Sequence, residues 1–436
     1  MSTSHEVVTL RKLFQFFIPM GISVLLINFS HVIINGTLAR SSNPEMILAG
    51  YALGMSLLTV TERPAILLRQ TCSALVRDRR SFRAVRYVAI YVFGSSLVFG
   101  ALVAFTPVGE WVFQGIFGAD AFVATEAIKV YYALMFLSIF SGLRCLYQGI
   151  IIYKMRTRWL TIGMIFRLAG MLILSQYFLH VGVTSALQGS IIFLFGMMIE
   201  ASISFMEARK LLAKMPEQDE ECEVAGPKQV LRFYNPLLYS SLIVVWVAPI
   251  LNIMLGTTER GTLAIASFAV AGSLMNLMLG FFTYFHQIAL IFVKSHPLLV
   301  RNFTLLLGFI PTLLMLVMCF TPIGSWMFAN VLGVKDDLLT ASLHALRGFL
   351  PFVVIFPWLD TLNGIVMANS ETKLMFSSQM ANAIITIVLI LLLAFFLPHW
   401  NGSLASLAQS AGVIAELLML VWLYKRNHPN LNQLRP

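Results

Sequence analysis

The stretch FTPVGEWVF at residues 105–113 decides the fold, because it returns as FTPIGSWMF at residues 320–328. Apolar composition alone does not reproduce the pattern Thr-Pro-x-Gly-x-Trp, so the match indicates an internal repeat. Further pairs recur at nearly the same separation: Gln148-Gly149-Ile150 with Asn363-Gly364-Ile365, Phe16-Phe17-Ile18-Pro19 with Phe233-Tyr234-Asn235-Pro236, and Gly196 and Glu200 with Gly412 and Glu416. So constant a separation predicts that the two halves share one architecture.

The composition is that of a membrane protein. Of the 436 residues, 58% are hydrophobic and 11% are charged, and the mean hydropathy is +0.82. A soluble domain is about 45–50% apolar and about 25% charged, so a water-solvated globule is excluded. The four cysteines form no CxxC pair, and no His or Cys cluster has metal-ligand spacing. We therefore expect neither a metal nor another cofactor.

Twelve apolar runs have the length of about 20 residues that a spanning helix needs. They cover residues 13–38, 47–76, 87–108, 121–153, 160–181, 184–207, 229–255, 262–293, 303–323, 338–368, 374–397 and 403–424. Each repeat holds six runs, and an even number gives both halves one orientation. The sequence predicts an all-α integral membrane protein with twelve transmembrane helices, in two six-helix bundles related by a parallel, pseudo-two-fold repeat.

Basic residues concentrate in alternate loops, with Arg77 to Arg86 after the second run and Lys154 to Arg158 after the fourth. Cytoplasmic loops collect Lys and Arg, so both termini are predicted to be cytoplasmic, in a plasma or inner membrane. The same rule accounts for the net charge of +10 without a nucleic-acid partner. The polar stretch 216–227 is predicted to link an N-lobe, residues 1–215, to a C-lobe, residues 228–436.

Several charged side chains fall inside the predicted spans, where a charge needs a cavity or a partner. Guanidinium groups match the geometry of carboxylate and phosphate oxygens. Four arginines are therefore the predicted substrate-binding residues: Arg63, Arg69, Arg144 and Arg167. Three further groups are the predicted coupling or gating residues: Glu62, Asp360 and His286. The surplus of positive charge favours an anionic solute in a cavity between the lobes.

A purely structural interpretation remains open for each of these groups. Glu62 can pair with Arg63 or Arg69, and Asp360 can pair with an arginine. For Glu200 and Glu416, near the cytoplasmic ends of the last helices of each half, we favour a capping or inter-helix hydrogen-bonding role. Pro64, Pro351 and Pro357 are candidate bending points, because proline removes a helical donor.

Three phrases carry a family resemblance: LFQFFIPMGISVLLINF at residues 13–29, EMILAGYALGMSLL at 45–58 with Pro64 following, and YQGIIIYKMRT at 147–157. With the six-plus-six repeat and the short linker, the chain resembles the multidrug/oligosaccharidyl-lipid/polysaccharide (MOP) exporter superfamily, which includes the multidrug and toxic compound extrusion (MATE) transporters. Its opening is most similar to the progressive ankylosis protein family. The resemblance implies an exporter that alternates between inward- and outward-open states, and in that family an exporter of anions such as pyrophosphate, nucleotide triphosphate and citrate.

The sequence thus predicts a membrane transporter, acting as an antiporter or facilitated exporter, that carries an organic or phosphate-containing anion by alternating access. It carries no P-loop, G-x-S-x-G or H-E-x-x-H motif, which disfavours ATP coupling and catalysis. Three alternatives stay open: a flippase for a lipid-linked phosphate or oligosaccharide, a multidrug extrusion transporter, and a membrane-embedded enzyme or scaffold with a degenerate transporter fold. The expected partners are the small-molecule or lipid-linked anionic substrate and membrane lipids, and the expected state is a monomer.

Overall fold

The structure is a computed structural model that describes residues 9–117, 120–219, 224, 226–331 and 336–428. The N-terminal half contains α1 (Leu10–Leu38), α2 (Pro44–Thr61), α3 (Arg63–Leu75), α4 (Arg79–Phe105), α5 (Val108–Glu110), α6 (Ala121–Tyr153), α7 (Arg158–Val181) and α8 (Leu187–Leu212). The C-terminal half contains α9 (Pro227–Gly256), α10 (Gly261–Gly280), α11 (Phe285–Phe292), α12 (Pro297–Phe320), α13 (Pro322–Trp326), α14 (Asp336–Gly348), α15 (Leu350–Ala368), α16 (Lys373–Phe396) and α17 (Ser403–Asn427).

Eleven helices in the described part of the chain are long and apolar enough to cross a membrane. The predicted second span, 47–76, is not among these eleven, because it consists of two shorter helices, α2 and α3, with Glu62 between them. Pro64 is the second residue of α3 and has no N–H to donate to the preceding turn. A proline is tolerated in the first turn of a helix, so the chain restarts its helix here and the predicted break is confirmed.

The other two predicted bending points differ from each other. Pro351 is the second residue of α15, directly after the end of α14 at Gly348, so it also marks a helix start. Pro357 lies inside α15, which remains helical through it. Helix α15 is therefore not interrupted at Pro357, in line with the tolerance of membrane helices for proline.

The helix bounds confirm the internal repeat. In the alignment that pairs Phe105 with Phe320, the start of α6 corresponds to the start of α14, and the end of α6 corresponds to the end of α15. The same alignment superposes both ends of α7 on both ends of α16. Even the unusual backbone repeats, since Met155 has φ 58° and Ser370, its equivalent, has φ 59°. Both halves therefore share these helix limits and the same turn before α7 and before α16.

A close helix approach is also duplicated. Helix α6 packs against α2, α3, α4 and α8, and α15 packs against α11, α12 and α17. A Cβ atom on Gly149 of α6 would meet the Cys72 side chain and lie 2.9 Å from the carbonyl oxygen of Arg69 on α3. A Cβ on Gly364 of α15 would meet Ala289 and the backbone of His286 on α11. These partners are related by the repeat, so glycine is required at the same contact in each half.

We expect Gly149→Ala to lower the free energy of unfolding by about 1–3 kcal/mol, because the added methyl group must push α6 away from the backbone of α3. Thermal unfolding of the purified protein in detergent measures the change. The control is Gly94→Ala, in the middle of α4, where a Cβ meets nothing within 4 Å. An equal loss in the two variants would contradict the close approach.

The chain divides into two compact units. One runs from Ile18 to Tyr234, and the other contains the residues before Ile18 together with those from Asn235 onwards. Both divisions fall at the same point of the repeat, because Phe17 and Tyr234 are equivalent positions in the paired phrases FFIP and FYNP. The first turns of α1 and of α9 thus belong to the unit built mainly by the other half. The lobe boundaries at 215 and 228 stay a prediction.

Specific contacts hold these first turns within their units. The Phe17 ring packs on three rings of the C-terminal half, with centroid distances of 5.7 Å to Phe281, 5.3 Å to Phe285 and 5.4 Å to Phe303. In the other unit the Tyr234 hydroxyl donates to the Pro64 carbonyl at 2.9 Å. That hydrogen bond joins the first turns of α9 to the first turn of α3.

The start of α4 is capped by Asp78, whose buried carboxylate accepts from the backbone N–H of Ser81 at 2.7 Å and of Asp219 at 2.9 Å. Burial raises the pKa of the Asp78 carboxyl, but its hydrogen bonds with Ser81 and Asp219 outweigh burial and hold the pKa below its ordinary value. The cap therefore stabilises the fold at neutral pH and is lost only as the pH falls through this lowered pKa. Asp219 belongs to the predicted linker, so the start of that linker is docked on α4.

Candidate functional site

Helix α6 places three polar side chains on one face. Ser141, Arg144 and Gln148 are spaced by three and four residues, which brings them above one another along a helix. All three are buried. A polar stripe inside an apolar bundle requires partners from neighbouring helices.

The partner is Glu200 of α8, whose side chain is only 2% exposed. Its carboxylate accepts from Arg144 Nη1 at 3.4 Å, from Gln148 Nε2 at 2.9 Å and from Arg167 Nη1, on α7, at 2.9 Å. The structure therefore brings two of the predicted substrate-binding arginines together on one carboxylate. The role favoured for Glu200 from the sequence, a hydrogen bond between helices, is confirmed.

The network continues to the break between α2 and α3. Ser141 donates its hydroxyl to a Glu62 carboxylate oxygen and accepts from Arg144 Nη2 at 3.3 Å. A chain of polar contacts thus runs from Glu62 through Ser141, Arg144 and Glu200 to Arg167. It contains two carboxylates and two guanidinium groups, so its charges balance. From the sequence, Glu62 could pair with Arg63 or Arg69 on α3. Its described hydrogen bond comes instead from Ser141 on α6.

Arg63 and Arg69 both lie on α3 and are half-buried. The Arg63 Nε atom is buried and has no hydrogen-bond partner among the described residues. Arg69 does interact with its surroundings, but it is not one of the guanidinium groups bound to Glu200. The two predicted arginines of α3 are thus separate from the pair that Glu200 holds.

The C-terminal half keeps the carboxylate but changes its partner. Glu416 of α17 accepts from Asn382 Nδ2 of α16 at 2.6 Å, which confirms the inter-helix hydrogen bond favoured for it. The alignment of α7 with α16 places Asn382 where the first half has Arg167. A guanidinium has therefore been replaced by an amide, which forms a hydrogen bond but contributes no positive charge.

Beside Glu416 lies a cavity of about 220 Å³ within the C-terminal unit. Asp360 lines it with Glu416, and the remaining polar lining consists of amides: Asn363, Gln379, Asn382 and Gln409. Asp360 accepts the backbone N–H of His286 at 2.9 Å, and both its carboxylate oxygens lie 3.1 Å from His286 Nδ1. The two predicted coupling residues of this half are thus in direct contact, and the partner of Asp360 is a histidine rather than an arginine.

Sequence reasoning missed Ser141 and Gln148 as members of the network. Gln148 carried a signal, because it recurs as Asn363 in the repeat, and Asn363 lines the acidic cavity. Ser141 carried none beyond its spacing from Arg144. Among the described residues no group of His, Cys, Asp or Glu has the geometry of a metal site.

No protein-family model and no curated protein sequence matches the chain. A solved structure of a MOP superfamily transporter from Pyrococcus furiosus, described as having a binding pocket of reverse polarity, matches with a TM-score of 0.75 at 16% identity, covering 96% of this chain and 95% of that chain.

Two other solved structures are described as the outward- and inward-facing conformations of a multidrug resistance MATE family transporter of the MOP superfamily. The first matches with a TM-score of 0.74 at 16% identity, covering 96% of this chain and 95% of that one. The second matches at 0.61 and 15% identity, covering 98% and 100%. The chain shares the fold of these solved structures.

The two related carboxylates should respond differently to removal of charge. We expect Glu200→Gln to lower the free energy of unfolding by about 3–5 kcal/mol, because two buried guanidinium groups lose their counter-charge. Glu416→Gln should be tolerated, since its partner Asn382 can bond an amide equally well. Thermal unfolding of both variants in detergent checks this matched pair, and a larger loss for Glu416→Gln would contradict the assigned partners.

Proposed function

We propose that this protein is an exporter that carries an organic or phosphate-containing anion across the membrane by alternating access. The observation that supports it is the charge of the unit from Ile18 to Tyr234 at membrane depth. Four arginines and two carboxylates, Glu62 and Glu200, lie in its predicted spans, so the formal charge of these six groups is positive. The described hydrogen bonds of both carboxylates go to the α6 network or to Arg167.

We propose Arg63 and Arg69 as the first contacts of the anion, because neither belongs to the pair of guanidinium groups described on Glu200. Both lie on the short helix α3, directly after the break at Glu62. Guanidinium groups bind oxyanions through paired N–H donors, and these bonds are strong in a medium of low dielectric constant. Arg144 and Arg167 are proposed to join them when an incoming oxyanion replaces the Glu200 carboxylate, an exchange that conserves charge in the network.

Coupling is proposed to run through Glu62, Asp360 and His286. Asp360 and His286 can share one proton across the 3.1 Å contact, and ionisable pairs at membrane depth often serve as proton relays. Glu62 belongs to the guanidinium network through Ser141, so a change in its charge reaches Arg144. If binding of the anion and binding of the proton exclude each other, the protein exchanges one for the other across the membrane, which is proton-driven antiport.

The finer architecture belongs to the same proposal. We propose twelve spans, counting α2 with α3 as one, in two lobes related by a parallel repeat, with residues 1–215 and 228–436 moving about the linker 216–227. Both termini would be cytoplasmic in a plasma or inner membrane, as the basic loops indicate. The resemblance to the progressive ankylosis family supports an anionic substrate. The Pyrococcus furiosus relative in fold, described by its reverse pocket polarity, supports a pocket charge that varies within this fold.

We expect Arg69→Gln to lower the initial rate of pyrophosphate export from proteoliposomes at least tenfold. A hydrogen bond to a charged group contributes about 1.5–3 kcal/mol, and about 1.4 kcal/mol corresponds to a factor of ten. Arg301→Gln is the control, because Arg301 is an exposed arginine near the start of α12. Unchanged export by Arg69→Gln, with pyrophosphate, citrate and nucleotide triphosphate each tested, would refute the assignment.

We expect Asp360→Asn to remove the dependence of export on a pH gradient, because an amide cannot release a proton to His286. The measurement is the initial rate of export with and without an imposed gradient. Glu371→Gln is the matched control, since Glu371 lies between α15 and α16 and its carboxylate is 3.1 Å from His428. A gradient that still drives transport in Asp360→Asn would place coupling elsewhere.

A second candidate function, extrusion of organic cations, is favoured by the cavity of the C-terminal unit. Asp360 and Glu416 line it together with the rings of Phe352 and Phe356, and carboxylates with aromatic rings suit an aromatic cation. Efflux of ethidium distinguishes the two functions. For a cation extruder, Glu416→Gln would slow ethidium efflux and Arg69→Gln would not.

A further inference from the structure

We propose a second ligand site, separate from the groups discussed above, that binds a phosphate group at the membrane boundary of the C-terminal unit. A cavity of about 530 Å³ lies between the end of α14 and the start of α17. Its polar lining consists of His344, Arg347, His399, Trp400, Asn401 and Ser403. The loop that forms one wall joins the spans α16 and α17, which places the cavity where headgroups and aqueous ions meet the protein.

Arg347 is oriented before any ligand arrives. Its Nε donates to the Cys319 carbonyl at 3.2 Å, and its guanidinium carbon lies 5.7 Å from the centre of the Phe320 ring. These contacts use one of the three nitrogens and fix the plane of the group. Among the described residues Nη1 and Nη2 have no hydrogen-bond partner, which leaves the pair of donors that matches two oxygens of a phosphate.

The opposite wall is formed by the chain that enters α17. A 3-10 turn, Pro398–Trp400, presents His399 and Trp400, and Asn401 follows with a positive φ of 48°, which residues other than glycine rarely adopt. Helix α17 then begins at Ser403. The N–H groups at the start of a 25-residue helix favour negative charge, so the wall adds to the attraction of Arg347.

The charge of the lining selects an anion. The described lining contains one arginine and two histidines and no carboxylate. On α14, the carboxylate of Asp337 forms an ion pair with Arg260 at 2.6 Å. No negative group of the described lining therefore competes with a ligand for Arg347.

Two phosphate ligands fit this lining. Inorganic phosphate and the glycerol phosphate headgroup of a phospholipid both present negative oxygens that the paired N–H donors of a guanidinium group match. Asn401 Oδ1 places no demand on the ligand, because it is buried and does not face the cavity. The Asn401 Nδ2 donates to the His399 carbonyl at 3.1 Å, which stabilises the loop.

The test uses the full-length protein and two probes. Inorganic phosphate is titrated into detergent-solubilised protein by calorimetry, and retention of phosphatidylglycerol against phosphatidylcholine is counted by native mass spectrometry. We expect at least one anionic probe to bind, and Arg347→Gln to weaken that binding about tenfold, the effect of losing a charged hydrogen bond. Arg301→Gln removes an exposed arginine outside the cavity and should leave binding unchanged.

His344→Glu is a second variant, chosen because His344 is exposed on α14 and its replacement leaves the core intact. The introduced carboxylate should repel the ligand and reduce binding at least as much as Arg347→Gln. Loss confined to inorganic phosphate identifies a site for the free ion, and loss confined to phosphatidylglycerol identifies a headgroup site. Absence of binding of both probes, or binding that neither variant changes, would overturn the proposal.

Discussion

The hydrogen bonds to the Glu200 carboxylate are the interaction on which the N-terminal half depends. A single buried carboxylate of α8 binds Arg144 and Gln148 of α6 and Arg167 of α7. Removing these charges from water is costly, and only mutual pairing with good geometry offsets it. The consequence is a fixed arrangement of three helices, from which the polar chain extends through Ser141 to the break at Glu62.

Gene duplication placed the same carboxylate in the second half, but its surroundings diverged. Asn382 stands at the position that the repeat relates to Arg167, so Glu416 receives a hydrogen bond and no positive charge. With Asp360 it gives its cavity an acidic lining. One architecture thus carries a charge-balanced network beside two further arginines of α3 in one half, and an acidic cavity in the other.

Glycines at helix contacts and an interrupted helix position the side chains of these sites. Gly149 and Gly364 bring α6 onto α3 and α15 onto α11 at positions related by the repeat. The backbone of Arg69 and that of His286 lie at these contacts, so two proposed functional residues stand at close helix–helix contacts. The interruption before Pro64 leaves Glu62 outside regular helix, where its carboxylate reaches Ser141.

The sequence by itself determined the membrane class, the duplication and most helix limits, because hydrophobic length and periodic motifs are local properties that need no knowledge of packing. It also indicated which charged residues would matter, since a charge within an apolar run always requires compensation. Only the tertiary structure decided which charges meet. Glu62, Arg144 and Arg167 are far apart along the chain, and no spacing rule relates α6, α7 and α8. The pairing of two arginines with Glu200, and of Asp360 with His286, follows from how those helices pack within each unit.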